Sequence, residues 1–235
     1  MTRTLVALLA LIFVTPAGPR SAADDRPGRA IPGWGESVDP GRDCQIKADG
    51  GRLSIAVPGT KHDLSAEAGD LNAPRVLGDV SGDFIAQVKV SGNIRHAGKS
   101  TSARYVGYHG AGLLLWQDAR TYLRLERAAV LLQDGRVVHY VNLELRKDGQ
   151  NVAGAATSAE IPDRDTYLRI ERRGRRLQGL VSEDGVKWLA CRPIDADLPG
   201  PLKLGVAAVS TSTEPFTAVF ADLEVFTKGP KPAAR

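Results

Sequence analysis

The stretch that decides the fold is residues 111–149, AGLLLWQDARTYLRLERAAVLLQDGRVVHYVNLELRKDG. Apolar and polar residues alternate within it in three runs, and a period of two places alternate side chains on opposite faces of a β-strand. The Asp134-Gly135 pair between the last two runs accepts the positive φ angles of a tight hairpin turn. We therefore predict three consecutive antiparallel strands. The runs are Gly112–Gln117, Tyr122–Ala128 and Val137–Arg146.

Alternating runs of the same kind continue on both sides of this stretch. Further Asp-Gly pairs at 148–149 and 184–185 mark tight turns, and no window carries an apolar stripe of helical period. Many short strands separated by turns favour an all-β sandwich or barrel. Residues 58–82 are expected to form long loops with one short strand near Arg75–Leu77. The other predicted strands are Arg52–Val57, Asp83–Val90, Thr166–Arg172, Arg176–Ser182, Lys187–Arg192, Leu202–Val209 and Thr217–Phe226.

A local repeat links two of these strands. Thr121–Arg127 reads TYLRLER, and Thr166–Arg172 reads TYLRIER. The flanking residues do not align, and strands with the same alternation recur by chance. We interpret the repeat as two half-buried strands of one pattern in preference to a duplicated unit.

The N-terminus has the pattern of an export signal. Arg3 precedes an apolar run of about ten residues, Leu5–Val14, and small residues suited to cleavage follow it. We predict a signal peptide over residues 1–23, the alternative being an uncleaved membrane anchor. A flexible lead-in (24–33), a single domain (34–227) and a disordered tail (228–235) then follow. The expected location is outside the cytoplasm: secreted, periplasmic or in the cell envelope. No second apolar run is long enough to span a membrane.

Composition excludes some functional classes. Of the 235 residues, 43% are hydrophobic, so an ordinary core is expected. The 31 Lys and Arg exceed the 27 Asp and Glu by only four, and this excess is scattered along the chain. A nucleic-acid partner is therefore not expected, because nucleic-acid binding requires clustered positive charge.

The two cysteines and the segment 39–43 are candidates for a disulfide or a metal site. Cys44 and Cys191 either form a disulfide or are separate buried thiols, and neither has the neighbours in sequence that a zinc site requires. Residues 39–43, Asp-Pro-Gly-Arg-Asp, resemble a calcium loop, but two carboxylates are too few and a plain turn is favoured. We expect no metal and no cofactor.

One face of the three central strands is polar and aromatic. If Gly112–Gln117, Tyr122–Ala128 and Val137–Arg146 pair in order, the alternation places eight polar or aromatic side chains on one side of the sheet. Aromatic rings cover the apolar faces of sugars, and Arg, Asn and Glu bind their hydroxyls, so the face suits a glycan. The alternative is an ordinary solvated sheet face. The eight are Trp116, Tyr122, Arg124, Glu126, Tyr140, Asn142, Glu144 and Arg146.

A catalytic role for the carboxylates of this face is not favoured. Glu126 and Glu144 fall on adjacent strands, and many glycosidases use a pair of carboxyl groups. However, arginines alternate with them and are expected to hold both ionised, leaving no carboxylic acid to donate a proton.

Several motifs in fixed order resemble a known group of domains. They are Asn72-Ala73-Pro74-Arg75, Ser81-Gly82-Asp83-Phe84, Ala111–Trp116, Tyr122–Glu126, Ser182–Trp188 and Gly205-Val206-Ala207. The chain is similar, over about residues 70–226, to bacterial "regulation of enolase protein"-like domains of the concanavalin A-like lectin/glucanase group. The resemblance implies a two-sheet antiparallel jelly-roll sandwich that is often a module for carbohydrate or protein contact. It supplies no catalytic residues.

These observations predict an exported, non-catalytic binding module with a glycan as its expected partner. Two alternatives stay open. One is a sugar hydrolase of the related sandwich enzymes, and the other is a domain that binds a protein of the cell envelope.

Overall fold

The computed structural model describes residues 28–92, 94, 98–102, 106–152 and 159–227. The predicted signal peptide, the start of the lead-in and the predicted tail at 228–235 lie outside these residues. In the part of the chain that the structure describes, no helix is long and apolar enough to cross a membrane. Residues 30–31, which the sequence assigned to the lead-in, form a short strand paired with Gly35–Glu36.

The described residues form nineteen strands and a single 3₁₀ turn, Ala66–Ala68. The strands are β1 Ala30–Ile31, β2 Gly35–Val38, β3 Gln45–Asp49, β4 Arg52–Val57, β5 Leu64–Ser65, β6 Asp70–Leu71, β7 Arg75–Val80, β8 Phe84–Gly92, β9 Tyr108–Asp118, β10 Thr121–Leu131, β11 Val137–Lys147, β12 Gln150–Asn151, β13 Ala159–Glu160, β14 Thr166–Arg173, β15 Arg176–Ser182, β16 Leu189–Ala190, β17 Ile194–Asp195, β18 Leu202–Ser210 and β19 Phe216–Thr227.

Two antiparallel sheets make the body of the domain. The first sheet has the order β1-β2-β7-β18-β9-β10-β11-β12, with β13 beside β11. The second has the order β16-β15-β14-β8-β19-β4-β3, with β17 beside β15. The all-β, two-sheet jelly-roll sandwich expected from the sequence is confirmed, including the meander of β9, β10 and β11. The predicted strand Lys187–Arg192 is reduced to the two residues of β16.

The core lies between the sheets and follows the period-two pattern. Leu113 and Leu115 of β9 face Leu123 and Leu125 of β10 across the ladder, and all four are almost completely buried. The second sheet supplies the opposing side chains, among them Val88 of β8. Burying each such side chain stabilises the fold by roughly 1.5–3 kcal/mol, so the inward half of every central strand is fixed by the hydrophobic effect.

A second, smaller apolar cluster lies on the outer side of the first sheet. Residues 61–73, here called the covering segment, fold over this face as the hairpin β5–β6 with the 3₁₀ turn between its strands. Leu64 and Ala73 of the segment pack against Leu114, Trp116 and Tyr122 of the sheet. The covering segment therefore shields part of the outer face of the first sheet, which the alternating sequence pattern predicts to be exposed to water.

The two cysteines lie at opposite edges of the second sheet. Cys44 precedes β3 and Cys191 follows β16, which are the first and last strands of the sheet order. Neighbouring strands lie about 4.8 Å apart, so six steps separate the two by roughly 29 Å. A disulfide requires Cα atoms within about 7 Å. The disulfide alternative is therefore excluded within one chain.

Candidate ligand-binding site

The predicted alternation of the three central strands is correct. All eight proposed side chains extend from the outer side of the first sheet, opposite to the core leucines. Across the ladder, Tyr122 lies beside both Trp116 and Arg146, and Arg124 lies beside Glu144. Glu126 and Asn142 also face each other, and Tyr140 is the next residue of β11 on this face, opposite Ala128 of β10.

The expectation that Trp116 and Tyr122 present their rings to a ligand is wrong. Trp116 is only 6% exposed and Tyr122 is fully buried. Their rings stack on each other at a centroid distance of 5.2 Å, and the Arg75 guanidinium lies 4.6 Å from the Trp116 ring. The Tyr122 hydroxyl accepts the Ala66 N–H from the covering segment at 3.0 Å. The two rings therefore form part of an internal packing layer under this segment.

The charged residues of the face form a buried network, here called the ionic cluster. Arg124 is at its centre: its Nη2 lies 2.6 Å from Glu144 Oε2 and 3.7 Å from Glu126 Oε1, and its Nη1 lies 3.7 Å from Asp63 Oδ1. Arg146 bonds Glu144 and reaches the covering segment at Glu67, 3.1 Å away. The ionic cluster comprises Asp63, Glu67, Arg124, Glu126, Glu144 and Arg146.

The pKa values of the two central carboxyl groups of the ionic cluster, Glu126 and Glu144, are shifted in opposite directions. Burial raises the pKa of Glu144, but Arg124 and Arg146 outweigh this effect and lower it to about 2. Burial also raises the pKa of Glu126, and here the single neighbouring guanidinium of Arg124 offsets the effect only in part. Asp63 behaves like Glu126, since burial keeps its pKa raised despite Arg124.

The expectation that the neighbouring arginines leave no carboxyl group with a raised pKa is therefore wrong for Glu126. Arg124 donates a hydrogen bond to Glu144, whereas Glu126 is beyond hydrogen-bond distance of the guanidinium. Glu126 instead accepts from the Tyr108 hydroxyl, and from the Asn142 amide at 3.5 Å. Neutral donors stabilise a carboxylate less than a guanidinium does, so burial dominates at this position.

Tyr108 is a site residue that the sequence analysis did not include. Its ring lies 6.5 Å from that of Tyr140, and both are half-buried at the end of the face that the covering segment leaves open. Tyr108 folds back over Gly110, where a Cβ would lie 2.5 Å from the tyrosine oxygen. The period of two could have found it, because Tyr108, Gly110 and Gly112 share the face of Trp116. The predicted strand began too late, at Gly112.

Arg124 has unused hydrogen-bonding capacity. Its side chain is 8% exposed, and its Nε and Nη1 atoms are buried without a hydrogen-bond partner among the residues that the structure describes. A buried donor without a partner costs about 1–3 kcal/mol. The cluster thus combines unsatisfied donors at Arg124 with an ionised acceptor at Glu144, whose side chain is 22% exposed. This arrangement suits a polar ligand.

A shallow groove of about 170 Å³ lies on the same outer face, on the other side of Trp116. Its lining is mixed: four of the nine lining residues are charged, and Lys203 and Glu36 form a 3.6 Å ion pair within it. Trp116, which is only 6% exposed, contributes to the lining. The lining residues include Glu36, Arg75, Asp79, Trp116, Gln117 and Lys203.

Comparisons with solved structures identify similar sandwiches. A functionally unknown protein from Saccharomyces cerevisiae aligns with a TM-score of 0.62 at 18% identity, over 78% of this chain and 92% of that one. The GH43 BlXynB protein from Bacillus licheniformis aligns at 0.55 and 13% identity, over 74% of this chain but 32% of its own length. A xylan β-1,4-xylosidase from Bacillus halodurans C-125 aligns at 0.50 and 14% identity, over 77% and 34%. Identities this low establish the fold alone.

Sequence comparison identifies the family. No curated protein matches the chain. The enolase-related family name implied by the sequence resemblance is not confirmed, although its sandwich fold is. The model of a family described as "Protein of unknown function (DUF1349)" matches residues 60–228, which include the covering segment and all the strands of the ionic cluster. This match spans well over half of the chain, and the chain therefore belongs to the DUF1349 family.

Proposed function

We propose that this protein is an exported, non-catalytic carbohydrate-binding domain. The ligand binds at the open end of the outer face, between the Tyr108 and Tyr140 rings and above Arg124 and Glu144. The observation that carries the proposal is the buried Arg124 guanidinium, which has two N–H-bearing atoms without a hydrogen-bond partner among the described residues.

A sugar matches this arrangement in three respects. Its hydroxyl groups donate hydrogen bonds to the ionised and partly exposed Glu144, and they accept hydrogen bonds from the buried Arg124 Nε and Nη1 once the overlying side chains move aside on binding. Its C–H faces pack on the half-buried rings of Tyr108 and Tyr140. The ion pairs of the cluster also hold the polar groups in place before binding, which lowers the entropy cost of complex formation.

Xylan is the first ligand to test, because the Bacillus halodurans relative in fold is named a xylan β-1,4-xylosidase. Binding would be measured by affinity electrophoresis in xylan gels and by a glycan array. We expect saturable binding that Tyr140→Ala weakens about 10-fold, since one stacking or hydrogen-bonding contact contributes about 1.4 kcal/mol. Tyr167→Ala is the matched control, because this half-buried tyrosine lies on the second sheet.

Two outcomes would contradict the proposal. One is the absence of binding to every polysaccharide on the array, and the other is equal loss in Tyr140→Ala and Tyr167→Ala. A loss confined to Lys203→Ala would instead place the ligand in the groove beside Trp116.

A second candidate function is glycoside hydrolysis by Glu126 and Glu144. The specific observation is that the pKa of Glu126 is raised while that of Glu144 is lowered to about 2, so that the pKa values of two neighbouring carboxyl groups are shifted in opposite directions, as in a pair of catalytic acid and base. Release of reducing sugar from xylan that is abolished in both Glu126→Gln and Glu144→Gln would establish this function. Turnover that persists in the double variant would eliminate these carboxyls as catalysts.

A further inference from the structure

A cysteine, a histidine and an aspartate meet at the surface away from the ionic cluster. Asp43 and Cys44 lie on the loop that joins β2 to β3, and His62 follows β4 at the start of the covering segment. The ligand atoms of these three side chains all lie within 4.8 Å of one another. No histidine or second cysteine lies near Cys44 in the sequence, and the fold alone brings His62 close to it.

The spacing of the three ligand atoms suits one small cation. His62 Nε2 lies 2.9 Å from Asp43 Oδ1, and Cys44 Sγ lies 3.8 Å from the same oxygen. Zinc binds nitrogen and oxygen at about 2.0–2.2 Å and sulfur at about 2.3 Å, which places tetrahedral ligand atoms about 3.3–3.8 Å apart. The His62–Asp43 distance would have to open by about 0.4 Å, and the Cys44–His62 distance, which is at most 4.8 Å, would have to fall within this range.

His62 is held in the orientation of a metal ligand. It is almost completely buried, and its backbone exchanges hydrogen bonds of 2.8 and 2.6 Å with Ser210. Its Nδ1 lies 3.1 Å from the Thr60 carbonyl oxygen, the usual outer partner of a zinc-binding histidine. Its other ring nitrogen, Nε2, faces the Asp43 carboxylate at 2.9 Å from Oδ1, which is where a shared cation would bind.

Asp39 provides an independent observation that favours a cation at this place. Its Oδ2 accepts the Cys44 N–H at 3.0 Å, which places the carboxylate beside the cysteine. Its Oδ1 is buried and has no hydrogen-bond partner among the described residues. A buried carboxylate oxygen without a partner is costly unless a cation or a bound water satisfies it. Gly41 leaves the necessary space, since a Cβ there would lie 2.6 Å from Asp43 Oδ1.

We propose that Asp43, Cys44 and His62 bind a zinc ion, with Asp39 as the fourth ligand or as the acceptor of a zinc-bound water. Thiolate, imidazole and carboxylate together select zinc over calcium or magnesium, which require several oxygen ligands. The ion would tie the β2–β3 loop to the covering segment. Asp63 follows His62 directly and lies 3.7 Å from Arg124, so the zinc would also anchor the segment that covers the ionic cluster.

The test is a metal titration of the full chain, kept reduced and freed of metal with a chelator. We expect one equivalent of Zn²⁺ to bind. We also expect Co²⁺ to give tetrahedral d–d bands together with a thiolate-to-cobalt charge-transfer band. Cys44→Ser should abolish the charge-transfer band and weaken Zn²⁺ binding at least about 100-fold, because even outer partners of zinc ligands cost 10–100-fold. Cys191→Ser is the matched control and should change neither signal.

Asp43→Asn provides a second variant whose folding is not in question, because Asp43 is exposed. It should weaken Zn²⁺ binding while leaving the far-UV circular dichroism unchanged. Cobalt spectra without a thiolate band, or equal Zn²⁺ affinity in wild type and Cys44→Ser, would overturn the proposal.

Discussion

Replacing Trp116 by alanine tests whether the aromatic pair of the outer face is a packing layer or a ligand platform. The indole is 6% exposed and packs against the Tyr122 ring, the Arg75 guanidinium and the side chains of the second apolar cluster. Removing a buried tryptophan costs about 3–5 kcal/mol through lost burial and the cavity that is left. For a domain of this size each kcal/mol lowers the melting temperature by about 2–4 °C, so the expected decrease is about 6–20 °C.

The assay is urea unfolding followed by circular dichroism, with thermal melting as a second measurement. Trp188→Ala is the matched control, because Trp188 is half-buried and also has an arginine over its ring, Arg169 at 3.8 Å. Its replacement should cost only about 1 kcal/mol. A loss of less than about 1 kcal/mol in Trp116→Ala would refute the packing interpretation and restore the indole as a candidate contact for ligand.

Three further predictions concern charge, backbone and thiols. The pKa of Glu144 is about 2 in the folded protein against an ordinary 4.5, so its contribution to the free energy of unfolding is complete above pH 4.5 and is lost as the pH falls toward 2. The difference in the free energy of unfolding between wild type and Glu144→Gln is expected to be on the order of 2 kcal/mol at pH 7. Urea unfolding at a series of pH values should show this difference shrinking between pH 4.5 and pH 2. Gly205→Ala should destabilise by about 3 kcal/mol or prevent folding, because a Cβ would lie 1.9 Å from a carbonyl oxygen of β7, whereas Gly78→Ala, with no atom nearer than 3.9 Å, should be tolerated in the same melting assay. Cys44 and Cys191 should both react with a thiol reagent in unreduced, denatured protein, and a blocked pair would contradict the sheet order.

The strand pattern could be predicted from the sequence because it depends on local physics. Alternation and Asp-Gly turns are properties of neighbouring residues, and they placed β4 and β15 with the correct bounds. They also assigned each side chain of β9, β10 and β11 to the correct face. The pairing of these strands into two sheets followed from the need to bury the apolar half of each strand.

The burial of the outer face could not be predicted in this way, and the TYLRxER repeat shows why. Arg124 and Arg169 occupy equivalent positions in the two copies, and both extend from the outer side of a central strand. Arg124 is 8% exposed and Arg169 is 23% exposed. β14 belongs to the second sheet, and the difference comes from the covering segment, which packs over β10 of the first sheet. Its placement depends on contacts between residues more than 50 positions apart, such as Ala66 with Tyr122.

The same long-range packing decides where a ligand can reach the ionic cluster. The covering segment closes one end through the Ala66–Tyr122 hydrogen bond and the Arg146–Glu67 ion pair. Glu144 remains partly exposed, and the half-buried rings of Tyr108 and Tyr140 lie on the same outer face. If the proposed function holds, a ligand would enter from the tyrosine end and would meet the ionised Glu144 before Arg124. Because the segment places Asp63 3.7 Å from Arg124, a shift of the segment would change the charge balance at the guanidinium, and the affinity for such a ligand would then be thermodynamically linked to the position of residues 61–73.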